Sequence, residues 1–166
     1  MEEYKQPVRV YERDGMHDFL SYLKGAKPTM ETIIYTTGQK LYAEKLLKII
    51  DPKQEIFDHI LTQNACYDFV KEDEDIHFLI KDISRFKNRD IRRSILADSK
   101  PLNFIMTPEN GLPVQPYDAE NHGQGIDEYL LALIEEIEEL RKMKDVRPYL
   151  ETNYKVRQSL KSAKLI

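Results

Sequence analysis

The sequence predicts an α/β domain with a mostly parallel sheet and helices on both of its faces. Short apolar runs alternate along the chain with helical patterns, and this alternation favours parallel strands joined by helices. Two of the runs, Thr32–Tyr35 and Ser94–Ala97, stop abruptly at polar residues. Because the carboxyl ends of parallel strands meet at one edge of a sheet, where ligands commonly bind, these two stops mark a candidate site.

The first third of the chain predicts two strands and two helices. Val8–Glu12 alternates between apolar and polar residues, which predicts a strand, and Met16–Leu23 places its apolar residues on one helical face. The β-branched run Thr32–Tyr35 predicts a second strand, and Lys40–Ile50 predicts the helix after it. Asp51-Pro52 ends that helix, because proline disfavours helical geometry in the residue before it.

The middle of the chain predicts short strands and turns. Phe57–Leu61 and Ser94–Ala97 are expected to be strands, and Cys66–Val70 pairs with His77–Lys81 as a hairpin around the acidic turn at 71–75. Pro101 is expected to begin a helical turn. Pro108–Gly111 carries asparagine and glycine, which tolerate positive φ and favour a turn.

The last part of the chain predicts one long helix and a basic end. Residues from about Gly125 to Leu140 place apolar residues on one side and glutamates on the other, as a core helix does. From Arg141 the chain turns basic, and its last residues show little apolar periodicity. We therefore expect a domain over 1–150 and a basic tail over 151–166. The tail is expected to be extended or docked on a partner, with an anionic surface as one candidate for the 141–164 segment.

Composition limits the classes of function. The 166 residues are 41% hydrophobic and 33% charged, with a net charge of −4, which is typical of one globular domain and argues against general nucleic-acid binding. The single cysteine, Cys66, excludes an internal disulfide and a Cys-rich zinc site. No run reaches the roughly 18–20 apolar residues of a membrane span. The residues after Met1 resemble neither a signal peptide nor a transit peptide.

Three residues combine the chemistry of a phosphate site. Thr36 ends one predicted strand, Asp98 ends another, and Lys81 follows the hairpin between them. A hydroxyl can hold a phosphate oxygen, a lysine can neutralise its charge, and an aspartate can hold a divalent metal. The same residue types are common at strand ends, so ordinary structural roles for all three remain the more frequent alternative.

The same segments resemble a known family. Ile34-Tyr35-Thr36, then Ile80–Ser84, Ile95–Ser99 and Pro108–Val114 look like the later motifs of the haloacid-dehalogenase superfamily, in its NLI-interacting-factor-like branch of C-terminal-domain phosphatases. Within this branch the chain is most similar to receptor subunits of the mitochondrial inner-membrane presequence translocase, on the basis of three segments: Arg13-Asp14-Gly15, Asp98-Ser99-Lys100 and Lys144–Leu150. The resemblance covers about Val8–Leu150. It implies a three-layer Rossmann-like sandwich.

The chain departs from that family at the residues that perform catalysis. Active members carry Asp-x-Asp-x-Thr after the first strand, and its aspartates act as nucleophile and general acid and help to bind magnesium. The only Asp-x-Asp of this chain is Asp73-Glu74-Asp75, which we interpret as a solvated turn. Ser99 and Lys100 stand at weakened positions of the fourth motif, where the Lys100 ammonium would compete with a metal for Asp98. The resemblance therefore implies no catalytic residues, no cofactor and no metal site, with Thr36, Lys81 and Asp98 vestigial and Asp98 the only vestigial ligand candidate.

The resemblance also implies a sheet that lacks its first, central strand. In the family that strand lies between the strands that end here at Thr36 and Asp98. The flanking strands could pair directly, Tyr4–Val10 could fill the position, or another polypeptide could insert a strand. Losing a central strand leaves backbone groups unpaired, and each buried unpaired group costs about 1–3 kcal/mol.

Together these observations predict a catalytically inactive phosphatase-like domain. We expect it to be an accessory subunit of a larger assembly, in a mitochondrial setting at the inner membrane or in the matrix, as the resemblance implies. One alternative is a component of presequence import. Another is a magnesium-dependent phosphoprotein phosphatase whose missing aspartate motif is supplied in trans.

Overall fold

The computed structural model describes residues 9–71, 76–119 and 127–166. These residues form six strands and five α-helices in an α/β fold, joined by short 3-10 helices. The strands are β1 (Ile33–Tyr35), β2 (His59–Leu61), β3 (Tyr67–Lys71), β4 (Ile76–Ile80), β5 (Leu96–Asp98) and β6 (Gly111–Pro113). The helices are α1 (Met16–Ala26), α2 (Lys40–Ile50), α3 (Tyr129–Arg141), α4 (Arg147–Tyr154) and α5 (Val156–Ser162).

The strands pair as three separate two-stranded sheets. β1 runs parallel to β2, with Ile34 opposite Ile60, and β5 runs parallel to β6, with Ala97 opposite Leu112. β3 and β4 form the predicted antiparallel hairpin. The predicted α/β class and the largely parallel pairing outside the hairpin are therefore confirmed.

β1 and β5 do not pair with each other. Neither strand has a second neighbour in the part of the chain that the structure describes. The expectation that the two flanking strands close up directly is therefore wrong. Of the residues expected to fill the position instead, 4–8 lie outside the described residues, and Val10 is half exposed and belongs to no strand.

Three buried clusters hold these elements together. The first joins α3 and α4 to β6 through Leu112, Leu133, Leu140 and Leu150. The second packs Ile83, Leu96 and Phe104 against α5, and the third joins α1 to Ile56 through Leu20 and Leu23. These clusters bury Leu96 of β5 and Leu112 of β6, whereas Ile60 of β2 stays 44% exposed, so the strands are covered on both faces only in part.

The chain differs from the sequence predictions at both ends. Residues 9–12 form no strand, so the strand predicted from the alternation at Val8–Glu12 is wrong. The main-chain oxygen of Glu12 instead accepts a hydrogen bond from the Tyr117 hydroxyl at 3.3 Å. The expectation of an extended tail is also wrong, because helices α4 and α5 continue to Ser162. Val156 and Leu160 of α5 are buried in the core, 5% and 1% exposed.

Candidate functional site

Lys81 and Asp98 form an ion pair at the carboxyl edge of β5. Lys81 follows the last residue of β4 and Asp98 is the last residue of β5, so the hairpin delivers the ammonium to the end of the strand. Lys81 Nζ donates to Asp98 Oδ2, and the two side chains are 12% and 7% exposed. Two of the three residues singled out from the sequence therefore meet.

The Asp98 carboxylate is satisfied by three donors. Oδ2 also accepts a hydrogen bond from the side-chain amide of Asn103 at 2.8 Å, and Oδ1 accepts from the Lys100 main-chain N–H at 2.7 Å. Asn103 is 3% exposed and lies on the short helix that begins at Pro101. The turn expected at Pro101 therefore places the Asn103 amide within hydrogen-bond distance of the Asp98 carboxylate.

Thr36 is held by its own turn. Its Oγ1 accepts from the N–H of Gly38 at 3.0 Å, and its N–H donates to Leu61 O at 2.9 Å beside β2. No hydrogen bond joins Thr36 to Lys81 or Asp98 among the described residues. The hydroxyl therefore stabilises the turn between β1 and α2, and the third corner of the predicted site is not joined to the other two.

Tyr35 links the end of β1 to the segment after β4. Its hydroxyl donates to the main-chain oxygen of Ala65 at 2.7 Å and accepts from the N–H of Asp82 at 3.3 Å. Burial raises the pKa of the Tyr35 hydroxyl above its usual value. This residue and Asn103 belong to the site but were missed from the sequence, because an aromatic residue and an amide near strand ends give no distinctive signal.

Cys66 lies close to this edge as a half-buried thiol. Its Sγ lies 3.6 Å from the main-chain oxygen of Thr36. Burial raises the pKa of the thiol, and the Lys81 charge opposes that shift without cancelling it. The thiol form is therefore favoured, and a nucleophilic thiolate at neutral pH is not.

Magnesium, which active members of the family are expected to bind, does not fit the residues present. Both Asp98 oxygens already accept hydrogen bonds, and a cationic lysine occupies the position of a metal beside Oδ2. The described residues contain no group of three or more His, Cys, Asp or Glu side chains that could hold a metal ion. The competing lysine predicted from the sequence was Lys100, and this was wrong: the Lys100 side chain is exposed and Lys81 pairs instead.

The acidic turn falls outside the described structure. Residues 72–75, which include Asp73, Glu74 and Asp75, are not described. The interpretation of this segment as a solvated turn therefore stays a prediction. No helix in the described ranges has the length and apolar character needed to cross a bilayer.

Two known proteins illustrate the sequence similarity of this chain to others. The chain is 30% identical over 145 residues to CTD small phosphatase-like protein 2 of Dictyostelium discoideum, covering 87% of the chain and 24% of that protein. It is 29% identical over 158 residues to the mitochondrial import inner membrane translocase subunit TIM50 of Candida glabrata, covering 94% of the chain and 30% of that protein. The chain thus spans less than a third of either relative.

A solved structure of Fcp1, an essential RNA polymerase II CTD phosphatase, superposes on the chain with a TM-score of 0.50 at 25% identity. The match covers 78% of this chain and 32% of that one. The sequence profile described as NLI interacting factor-like phosphatase matches residues 1–147. The α/β fold, the later motifs and this match lead to one conclusion: the chain belongs to the NLI interacting factor-like phosphatase family.

Proposed function

We propose that this chain is a non-catalytic phosphatase-like domain that acts as a structural and binding subunit of a larger, mitochondrial, membrane-associated assembly. The observation that carries the proposal is the state of Asp98. Its carboxylate is held by Lys81, Asn103 and the Lys100 N–H. These donors use three of the roughly four acceptor positions of the carboxylate, so Asp98 holds a strand end in place and its charge is neutralised by Lys81.

The absence of an activated nucleophile supports the same proposal. Phosphoaspartate chemistry needs a free carboxylate at the end of a strand, with an acid beside it and a metal to neutralise the phosphate. Asp98 is neutralised by Lys81. The Thr36 hydroxyl caps its own turn. The three vestigial positions therefore serve the fold, and what remains for function is binding.

The mitochondrial setting is supported by the relatives. Several proteins that the chain resembles are mitochondrial import inner membrane translocase subunits, from Candida glabrata, Debaryomyces hansenii and Kluyveromyces lactis, at 29–30% identity. Because the chain spans 27–30% of their length, it corresponds to one domain of such a subunit. Binding to other protein subunits is the part of such a role that we propose for this domain.

A second candidate is a role in presequence import itself. It is favoured by the match to TIM50 of Candida glabrata, which extends over 94% of this chain. In this case the chain would contact translocase subunits directly. The two candidates differ in partner, and both are non-catalytic.

A phosphatase assay tests the non-catalytic proposal. The purified chain is incubated with p-nitrophenyl phosphate and magnesium, beside the Asp98→Asn variant. We expect no release of nitrophenol above the rate of the variant. Turnover by the wild-type chain that Asp98→Asn abolishes would overturn the proposal and revive the alternative of a magnesium-dependent phosphatase.

Affinity purification from mitochondria tests the setting and separates the two candidates. The tagged chain is recovered under mild detergent, and its partners are identified by mass spectrometry at measured stoichiometry. Recovery with a large complex other than the translocase supports the first candidate, and recovery with translocase subunits supports the second. A chain that is absent from mitochondria contradicts both.

A further inference from the structure

We propose that the gap between β1 and β5 is a groove for an extended, apolar segment of another polypeptide, which enters as a strand and pairs with both. This proposal deepens the binding role proposed above and rests on it, since it specifies the chemistry of the partner. Four properties of the groove support it: its shape, its open backbone edges, the direction of its strands and the chemistry of its walls.

A cavity of about 560 Å³ occupies the gap. It is lined by Thr32–Tyr35, which include all of β1, and by Ser94–Ala97, which include the first two residues of β5. Adjacent strands in a sheet lie about 4.8 Å apart, so a gap between two strands of one layer has the shape of a third strand. The cavity volume falls within the range of about 300–1,000 Å³ that is usual for binding pockets.

In the part of the chain that the structure describes, the edges of β1 and β5 that face the gap have no partner strand. In a parallel pair, alternate residues of a strand direct their N–H and C=O groups to one neighbour and the residues between them direct theirs to the other side. Thr36 N–H bonds to Leu61 O beside β2, and Asp98 O accepts from Val114 N–H beside β6. The backbone groups of Ile33 and Tyr35 on β1, and of Ala97 on β5, therefore face the gap, as do those of Ile95 just before β5.

The two edges run in the same direction. At the carboxyl end of β1, the Tyr35 hydroxyl accepts a hydrogen bond from the Asp82 N–H. At the carboxyl end of β5, the Asp98 carboxylate accepts from Lys81, which immediately precedes Asp82. At the amino end of β1, Glu31 pairs with Arg89. At the amino end of β5, the Ser94 hydroxyl donates to the main-chain oxygen of Asp90, which immediately follows Arg89. One segment, 81–90, thus spans the groove from end to end. A strand between the edges can therefore pair in parallel with both.

The walls of the groove are apolar on both faces of the sheet. Phe19 and Leu23 of α1 and Ile137 and Leu140 of α3 form one wall, and the second wall is formed by Ile83 and Phe86. A strand directs successive side chains to opposite faces. The occupant therefore needs apolar residues at consecutive positions, as strands buried on both faces have.

Charge at the amino end adds a preference. Arg93 lines this end of the groove, and its guanidinium donates to the main-chain oxygens of Met143 and Arg141 at 3.1 and 3.3 Å. Arg89 and Arg141 also line it, with Glu31 and Asp90 as the acidic groups. Guanidinium groups favour carboxylates, so an acidic residue just before the apolar run suits this position.

The chain's own first residues suit the groove poorly in sequence. Glu2-Glu3-Tyr4-Lys5-Gln6 contains three charged residues and one amide, which a strand with two apolar walls disfavours. The occupant proposed here is an apolar segment of a separate polypeptide, because its sequence has to match the apolar lining of the groove. Occupation by the chain itself, or by a second copy, is an outcome that the experiment below distinguishes.

Hydrogen–deuterium exchange on the full chain tests the proposal with a defined probe. The probe is the acetylated peptide amide Glu-Glu-Val-Ile-Val-Ile-Val-Ser-Lys, and its control has the same sequence with alternate backbone nitrogens of the apolar run methylated. We expect the probe to bind one per chain and to slow exchange at the Tyr35 and Ala97 amides at least about tenfold. The methylated control should bind at least about tenfold more weakly, because each methyl group removes a donor.

Two proline variants locate the binding to the groove. Ala97→Pro removes an N–H that faces the groove, and we expect it to lower the affinity for the probe peptide about tenfold. Ile60→Pro is the matched control, since Ile60 lies at the centre of β2, where the same alternation directs its N–H away from β1. Ile60→Pro should leave probe affinity within about twofold, and circular dichroism checks that both variants fold. Because the methylated peptide is tested on the unaltered chain, the conclusion survives if Ala97→Pro unfolds.

Several results would overturn the proposal. The first is equal binding of the methylated and unmethylated peptides, and the second is no binding of either. Slow exchange at Tyr35 and Ala97 without peptide would show a groove already filled, by the chain itself if it sediments as a monomer and by a second copy if it sediments as a dimer. None of these results restores phosphatase activity, so a failed groove and a failed non-catalytic role are distinguishable.

Discussion

The ammonium of Lys81 and the amide of Asn103 both donate to the same carboxylate oxygen of Asp98. The carboxylate ends β5, the lysine follows β4, and the asparagine lies on the short helix after β5. One oxygen atom therefore ties three segments together at the edge of the groove. These side chains, which are of the types suited to phosphate chemistry, also stabilise the fold through these contacts.

Replacing Lys81 should lower the free energy of unfolding, because it leaves the buried Asp98 carboxylate without a counter-ion. In Lys81→Met the 7% exposed Asp98 side chain loses its counter-ion, and removing one partner of a buried pair typically lowers the free energy of unfolding by about 3 kcal/mol. Urea unfolding monitored by circular dichroism measures the change. Lys100→Met is the matched control, because the Lys100 side chain is exposed, and we expect a change within about 0.5 kcal/mol. Equal losses in both variants would contradict the central role of the Lys81–Asp98 pair.

Much of this site could be predicted from the sequence, because strand ends are visible there. The apolar runs that stop at Thr36 and Asp98 correctly located the ends of β1 and β5, and the hairpin before Lys81 places that lysine beside Asp98. Asn103 was not predicted, since its role depends on how the turn at Pro101 folds back. The hydroxyl of Thr36 was assigned to phosphate because a sequence cannot show that it binds the N–H of Gly38.

The fold was less predictable at its two ends. Val8–Glu12 has the alternation of a strand, but residues 9–12 pair with no strand among the described residues and are all exposed. In α5 the core contacts are made by Val156 and Leu160 alone. Two apolar residues one helical turn apart among basic residues give too weak a periodicity to distinguish a docked helix from a solvated tail.

Gly111 is required by its contact with Phe104. A Cβ added at Gly111 would lie 2.8 Å from the Phe104 ring, and the ring is 2% exposed and cannot move aside. We expect Gly111→Ala to lower the free energy of unfolding by about 1–3 kcal/mol, as overpacking does.

Gly25→Ala is the matched control for this substitution. Gly25 lies inside α1, and its added Cβ would meet no atom within 4 Å. This variant should stabilise the chain by about 0.5–1 kcal/mol, since alanine favours the helix. Thermal unfolding of the two variants checks the opposite signs, and Phe104→Leu should partly rescue Gly111→Ala. Destabilisation by Gly25→Ala would show that this region of α1 packs differently.

Leu160 should matter more than its place near the end of a basic segment suggests. It is 1% exposed and packs in the cluster with Ile83, Leu96 and Phe104. Leu160→Ala should lower the free energy of unfolding by about 2–5 kcal/mol, the usual range for a buried leucine. Lys161→Ala, at the exposed next position, should change it by less than about 0.5 kcal/mol. Chemical unfolding of both variants tests whether α5 belongs to the core, and a neutral Leu160→Ala would show that it does not.

Acid should destabilise the chain through Asp51, which caps the turn after α2. Its side chain accepts hydrogen bonds from the main-chain N–H groups of Glu55, Ile56 and Phe57 at 2.9, 3.0 and 3.4 Å. Burial acts to raise the pKa of this carboxyl, but the three donors outweigh it and hold the pKa below the ordinary value of 3.8. Because the folded-state pKa is the lower one, the stabilisation is fully present above the unfolded pKa. It is lost as pH falls below about 4 and through the folded pKa.

The experiment follows the free energy of unfolding from pH 6 to pH 2. In wild type we expect a downward slope below about pH 4, since protonation of Asp51 weakens its hydrogen bonds to the three donors. Asp51→Asn keeps one acceptor oxygen and cannot titrate, so it should lower stability at pH 6 by about 1–3 kcal/mol and flatten its part of the acid slope. The two curves should therefore converge as the pH approaches 2. Curves that stay parallel down to pH 2 would mean that Asp51 is not held as a carboxylate by these three N–H groups.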